Sequence, residues 1–239
     1  MFLLRGREGL QTAIKIMQAS KRAVKYYRHR ATTRDLNKWH SLAESMIQSV
    51  VCRGQTVAEL GCGSGEFLKR LAARYEVKAV GYDISETNIE RLRREGLDGE
   101  VVDFADGALP VEDEVFDLVV SCEVIEHLVN PRGFLREIHR CLKRGGYFCL
   151  TTPNAFNALR RLSFLLGYHR DPLMDPSRSE FAEHIRAFSF GMVARLLRVQ
   201  GFTVVGSIGD RVPVAQAPGL SLLRSLLSSE MCFLSQREQ

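Results

Sequence analysis

From Gln55 onward, short runs of β-branched and aromatic residues alternate with stretches whose apolar side chains recur every three or four positions. The first period belongs to half-buried or buried strands and the second to amphipathic helices, and their alternation marks βα units stacked into one sheet. The strand candidates are TVAEL (56–60), VKAVGY (77–82), GEVV (99–102), VFDLVVS (115–121), GYFCLT (146–151), FTVVGSI (202–208) and EMCFLSQ (230–236). Helices are expected over 66–74, 85–95, 131–143 and 189–200, the last closed by Gly201 as a C-cap. Seven strands with helices on both faces predict a doubly wound, mostly parallel α/β sheet.

Two stretches fall outside this rhythm. In DLNKWHSLAESMIQSV (35–50), Leu36, Trp39, Leu42, Ala43, Met46, Ile47 and Val50 recur at helical spacing, with Asp35 placed as an N-cap; this helix should pack on the sheet or cover a site beside it. Residues 153–184 form an insertion after the fifth strand, an apolar helix over 158–167 followed by the loop-like HRDPLMDPSRSE. Long connections of this kind often serve as lids or binding loops. The expected division is therefore a basic helical extension, 1–50, and a main domain, 51–239, that carries the insertion on its substrate side.

Charge sharpens the first of these parts. The chain has 239 residues and a formal net charge of +5, yet the first fifty residues hold ten basic side chains against Glu8, Asp35 and Glu44, so the rest is close to neutral. Such a segment attracts anions: a lipid surface, an RNA or an acidic substrate. A solvated helical face is the equally available bland reading. No run reaches the roughly 18 apolar residues of a spanning helix, and MFLLRGREGL is too short in its apolar part for a signal peptide, so a cytoplasmic location is expected. The six cysteines form no C-x-x-C pair and mostly sit within apolar runs, which argues against a zinc or disulfide framework.

The loop AELGCGSGEF (58–67) directly follows the first strand, the usual ligand anchor in an open α/β sheet. Gly61, Gly63 and Gly65 permit positive φ and leave no Cβ in a ligand's way. A Walker loop would need Lys where Phe67 stands, and the dinucleotide fingerprint G-x-G-x-x-G would need glycine where Glu66 stands. An acidic side chain there repels a pyrophosphate, so the pattern suits a ligand without phosphates. Asp83, at the end of the second strand, can accept hydrogen bonds from both hydroxyls of a ribose, or cap the following helix, a role Ser85 could also fill. Asp103, after the third strand, can take an exocyclic amino group with Ile84 and Phe104 sandwiching the ring, or satisfy local backbone donors.

VAELGCGSGEF, GYDIS, VVDFADGALPVEDEVFDLVVSCEVIEHL and LKRGGYFCLTTPN, in this order and spacing, resemble the successive motifs of class I S-adenosylmethionine-dependent methyltransferases. EHIRAFSFGMVARLLRVQGF is similar to the segment before the sixth strand of small-molecule members related to ubiquinone-type O-methyltransferases. The resemblance implies a Rossmann-like methyltransferase fold with S-adenosyl-L-methionine as cofactor. It places Glu59 and the loop of Gly61, Cys62, Gly63 and Gly65 at the methionine end, Asp83 at the ribose, Asp103 at the adenine with Ile84 and Phe104 about its ring, and the backbone around Ser121 and Cys122 beside the sulfonium.

CEVIEHL then carries the acceptor chemistry. On a helical turn Glu123, Glu126 and His127 would share one face, with His184 as a fourth candidate from the insertion. Three readings stay open. Glu123 or His127 acts directly as a base, or the group with His184 holds Mg²⁺ or a similar cation, as in the similar EVIEH motif of small-RNA 3′-terminal 2′-O-methyltransferases, or the residues are scaffold. The position after the fourth strand reads Ser121, Cys122, Glu123, Val124 rather than Asn-Pro-Pro-aromatic, which favours oxygen over adenine-N6 or glutamine nitrogen. The expected acceptor is a small molecule, amphiphilic given FLLGY in the insertion. RNA is the rival acceptor, disfavoured because basic and aromatic residues do not interleave as in an RNA-binding module.

Overall fold

The computed structural model describes residues 38–104, 108–167, 184–211 and 220–238. Of the sequence expectations, Asp35 and Leu36, the basic residues of the extension before Lys38, and the loop-like HRDPLMDPSRSE of the insertion lie outside the described residues.

Seven strands form one sheet: β1 (Thr56–Leu60), β2 (Lys78–Asp83), β3 (Asp98–Val101), β4 (Phe116–Cys122), β5 (Leu142–Pro153), β6 (Phe202–Gly209) and β7 (Glu230–Arg237). Their order is β3-β2-β1-β4-β5-β7-β6. The β1, β2, β3, β4 and β5 pairings are parallel, whereas β7 runs antiparallel to both β5 and β6. The order reverses between β1 and β4, and a ligand crevice opens where strand order reverses.

The helices are α1 (Lys38–Ile47), α2 (Glu66–Tyr75), α3 (Glu86–Arg94), α4 (Pro131–Cys141), α5 (Ala158–Leu165), α6 (Phe190–Val199) and α7 (Leu220–Leu227). Side chains of successive strand residues face opposite ways, so β4 sends Leu118 and Val120 to one core and Val119 to the other. On the first face α1 and α2 close the core through Ala43, Ile47, Phe67 and Leu71. On the second, α4 and α6 contribute Phe134, Leu135, Ile138, Val193 and Leu197. The helix expected over 35–50 thus packs on the sheet across its described part. Glu44, nearly buried, fastens it to α2 through Arg70 at 2.7 Å and Arg74 at 2.8 Å.

Two boundaries differ from the periodicity. The α4 helix stops at Cys141 rather than 143, and β5 begins at Leu142 rather than 146. Leu142 pairs with Phe116, and Lys143 meets both carboxylate oxygens of Asp117 at 2.9 Å, so pairing with β4 captures the residues that a helix would have used. The gap left between the last two expected strands contains α7, and Asn154 Nδ2 donates to its final turn at Ser225 O, 2.8 Å, and to Ser228 O, 2.9 Å. Among the described residues no helix is long and apolar enough to cross a membrane.

Candidate active site

The loops that leave the C-terminal ends of β1, β2, β3 and β4 meet at one edge of the sheet. After β1 the chain turns through Gly61, Gly63 and Gly65 into α2. Gly61 has φ +78°, and a Cβ on it would collide with Val124 Cγ2. Gly65 has φ +86°, and a Cβ there would collide with Leu92 Cδ1. Glycine is therefore required twice at this loop, for backbone hand and for space. The loop is fastened from below by Asp83, whose Oδ2 accepts from Gly63 N at 2.8 Å and whose Oδ1 accepts from Ser85 N at 2.8 Å. Ser85, as expected, caps α3 by accepting from Asn88 N.

Glu59 lies under the same loop and is 1% exposed. Burial holds its carboxyl well above the ordinary carboxylate range, and the neighbouring charge of Asp83 pushes it further, against the opposing Leu68 N–H. Its Oε2 has no hydrogen-bond partner among the described residues. Asp103 and Phe104 follow β3, half-buried, with Phe104 edge-on to Phe134 at a centroid distance of 5.4 Å. Ile84 is half-buried beside Asp83. Ser121 is fully buried and donates to Leu60 O at 3.2 Å. Burial raises the Cys62 and Cys122 thiols well above their ordinary value, and the charge of Glu59 adds to it, so neither is a thiolate nucleophile.

Beyond β4 the expected four-residue cluster is divided. Glu123 has the left-handed φ of +57°, which costs a non-glycine residue about 1–2 kcal/mol. Its N–H bonds Thr151 O at 3.1 Å and its carboxylate accepts from Thr151 Oγ1 at 3.0 Å. Only Ile125–His127 then forms a helical turn, of the tighter 3₁₀ kind, so Glu123 does not share its face. The structure instead groups Glu126, His127 and His184, one ligand atom from each lying within 4.8 Å of the others. Glu126 is 1% exposed, and its Oε2 accepts from Thr152 Oγ1 at 3.0 Å. Its Oε1 faces His127 Nε2 at 3.7 Å and His184 Nε2 at 4.0 Å. Sequence reasoning placed Glu126 only as a cation ligand or scaffold, and it missed Thr151 and Thr152. Two adjacent hydroxyls at the end of a strand, in the TTPN segment, were the available signal.

His184 reaches this turn because the chain after it is clipped there. Ile185 N and Arg186 N both donate to Glu126 O, at 3.0 and 3.1 Å, and the Arg186 guanidinium donates to Leu128 O and Val129 O.

The glycine loop, both aspartates, Glu126 and most of β5 fall within residues 58–150, which match a family model described as a methyltransferase domain. Residues 58–150 thus resemble a methyltransferase domain. A Mycolicibacterium smegmatis relative, named as a probable S-adenosylmethionine-dependent methyltransferase, is 30% identical over 72% of this chain and 62% of its own length. Two further matches are shorter. One is the Ruegeria pomeroyi ubiquinone biosynthesis O-methyltransferase, 34% identical over 42% of each chain. The other is the Halorhodospira halochloris sarcosine/dimethylglycine N-methyltransferase, 38% identical over 41% of this chain and 37% of its own. The chain thus spans about three fifths of the length of the first curated relatives it matches. Among solved structures, a chain from the complex of the Haloferax volcanii Trm112 methyltransferase activator with a methyltransferase superposes with a TM-score of 0.63 at 22% identity, covering 84% of this chain and 91% of that one. The seven-stranded sheet has the Rossmann-like form expected from its motifs.

Proposed function

We propose that this chain transfers a methyl group from S-adenosyl-L-methionine to a hydroxyl oxygen of a small, amphiphilic acceptor. The observation that carries the reading is the buried carboxylate of Glu59 beneath a glycine loop that lacks any phosphate-binding lysine. The α-ammonium of the cofactor's methionine end matches that charge, as a phosphate would not.

S-adenosylmethionine supplies, when bound, a methyl carbon already activated by positive sulfur. The work left to the protein is positioning and the exclusion of water. Glu59, Gly61, Cys62, Gly63 and Gly65 receive the methionine end. Asp83 takes the ribose, and Ile84, Asp103 and Phe104 take the adenine. At Ser121 and Cys122 the backbone borders the sulfonium, since the hydroxyl of one is spent on Leu60 O and the thiol of the other is buried. The acceptor sits over the end of β4, where Glu123 or His127 receives the hydroxyl proton, with His184 beside His127. Exposed Leu159, Leu162, Phe164 and Leu165 on α5, with Arg161 among them, support an acceptor with an apolar tail. The basic segment before residue 38 adds attraction to an anionic surface on which such acceptors reside.

The test is release of S-adenosylhomocysteine from the full chain, given a panel of phenols and hydroxylated lipids beside matched amines. Turnover with hydroxyl acceptors is expected; turnover with amines alone would overturn the oxygen assignment. The variant Asp83→Ala is expected to weaken cofactor binding at least tenfold by calorimetry, as loss of a charge-assisted hydrogen bond implies. Undiminished binding would remove Asp83 from the site.

A further inference from the structure

The α5 helix is amphipathic, and its apolar side is turned outward. Leu159, Leu162, Leu165 and the capping Leu166 recur at helical spacing and fall within about a third of the helix circumference. In a helix packed on a core such a stripe is buried. Here the four leucines are 69%, 52%, 81% and 63% exposed, and α5 buries none of its residues. The α7 helix packs against α5 and adds Leu223 and Leu227, one turn apart and 45% and 49% exposed. Asn154, fully buried where β5 ends, fastens α7 through Ser225 O and Ser228 O. Three residues on, Asn157 caps α5 by accepting from Arg160 N at 3.0 Å. The two helices thus form one platform at the C-terminal edge of the sheet, next to Thr151 and Thr152, which hold Glu123 and Glu126.

We propose that the α5–α7 face docks on an anionic lipid bilayer. Contiguous exposed apolar side chains mark an interaction surface, and charge says which kind. Arg160 and Arg161 lie on α5 beside the leucines, and the chain carries no acidic residue from Asn154 to Arg170 or from Arg211 to Ser229. Leucines flanked by cations, with no carboxylate among them, suit a helix lying in the interfacial plane, its apolar side at the acyl boundary and its guanidinium groups among anionic headgroups. A second copy of this chain fits that charge poorly. Pairing α5 with its own image would set Arg160 and Arg161 against themselves, with no carboxylate from either platform between them. The basic segment before residue 38 attracts the same surface at a distance, whereas the leucines decide which edge of the molecule faces it. Docked in this way, the crevice at the ends of the strands opens toward the bilayer, and an amphiphilic acceptor reaches it with its tail still in lipid. That consequence rests on the methyltransferase reading; the docking does not.

The experiment sediments the full chain with vesicles of phosphatidylcholine alone and of equimolar phosphatidylcholine and phosphatidylglycerol. Binding to the mixed vesicles, weaker on phosphatidylcholine and weakened by salt, is expected. The double variant Leu162→Glu/Leu166→Glu is expected to lower the partition coefficient by about tenfold or more, with circular dichroism and the urea midpoint unchanged because both side chains are exposed. Trp39 is the single tryptophan of the chain, so the variant Leu165→Trp adds a reporter on α5 whose emission should shift to the blue on the mixed vesicles. Undiminished vesicle binding by the double variant, or an emission that vesicles leave unmoved, would overturn the docking surface. So would a dimer in sedimentation velocity that the double variant dissolves while the unaltered chain ignores vesicles. Release of S-adenosylhomocysteine with soluble hydroxyl acceptors but no vesicle binding rejects the docking alone. Vesicle binding without release from any acceptor rejects the proposed function and leaves the docking in place.

Discussion

Glu59 carries a proton-linked prediction. Its carboxyl is held above the usual range by burial first and by Asp83 second. A cationic ligand beside it stabilises the ionised form and so lowers that pKa. Between the two values, binding releases a proton, and affinity rises with pH. The binding enthalpy of S-adenosylmethionine should therefore depend on the ionisation enthalpy of the buffer, and Glu59→Gln should abolish that dependence. For the free protein the sign is opposite: a carboxyl with a raised folded-state pKa removes stability as pH rises above its unfolded value. Gly61 gives a second test. Alanine there meets both a positive φ and Val124 Cγ2, so Gly61→Ala should lower stability by about 2 kcal/mol in urea titration and weaken cofactor binding as well.

Capping decides how α4 leaves the 3₁₀ turn that carries Glu126 and His127. Asn130 Oδ1 accepts from Gly133 N at 3.0 Å, and Pro131 follows as the first helical residue. Asn130→Ala should cost about 1 kcal/mol, read as a shift of the urea midpoint with unchanged slope. Elements of this kind were legible in advance: Gly201, Ser85 and the alternating strands reveal themselves within a few residues. Where β5 begins was not, because Leu142 and Lys143 are held by Phe116 and Asp117 across the sheet. Glu123 shows the same limit. Helical spacing placed it with Glu126 and His127, but its left-handed backbone takes it off that face and onto Thr151.

Both faces of the sheet must be covered for the crevice to hold its shape, and α1 covers part of one. Ile47 is fully buried with Val57, Phe67 and Leu71 in that core. Truncating it removes apolar contact and leaves a void, so Ile47→Ala should cost about 2–5 kcal/mol, measured as loss of the urea midpoint. At the far end of α1, Lys38 bonds Glu230 at 2.9 Å, linking the helix to β7.

The α/β class, the glycine loop after β1 and the two aspartates at or just beyond strand ends could all be read from the chain, because each depends on local geometry. Periodicity reports which face is buried, and glycine reports where backbone must turn or be approached. The antiparallel placement of β7 between β5 and β6 and the division of Glu123 from Glu126 could not be read that way. Each depends on which distant segment wins a hydrogen-bonding partner, a competition settled when the sheet closes and the segment after His184 is clipped to the turn after β4.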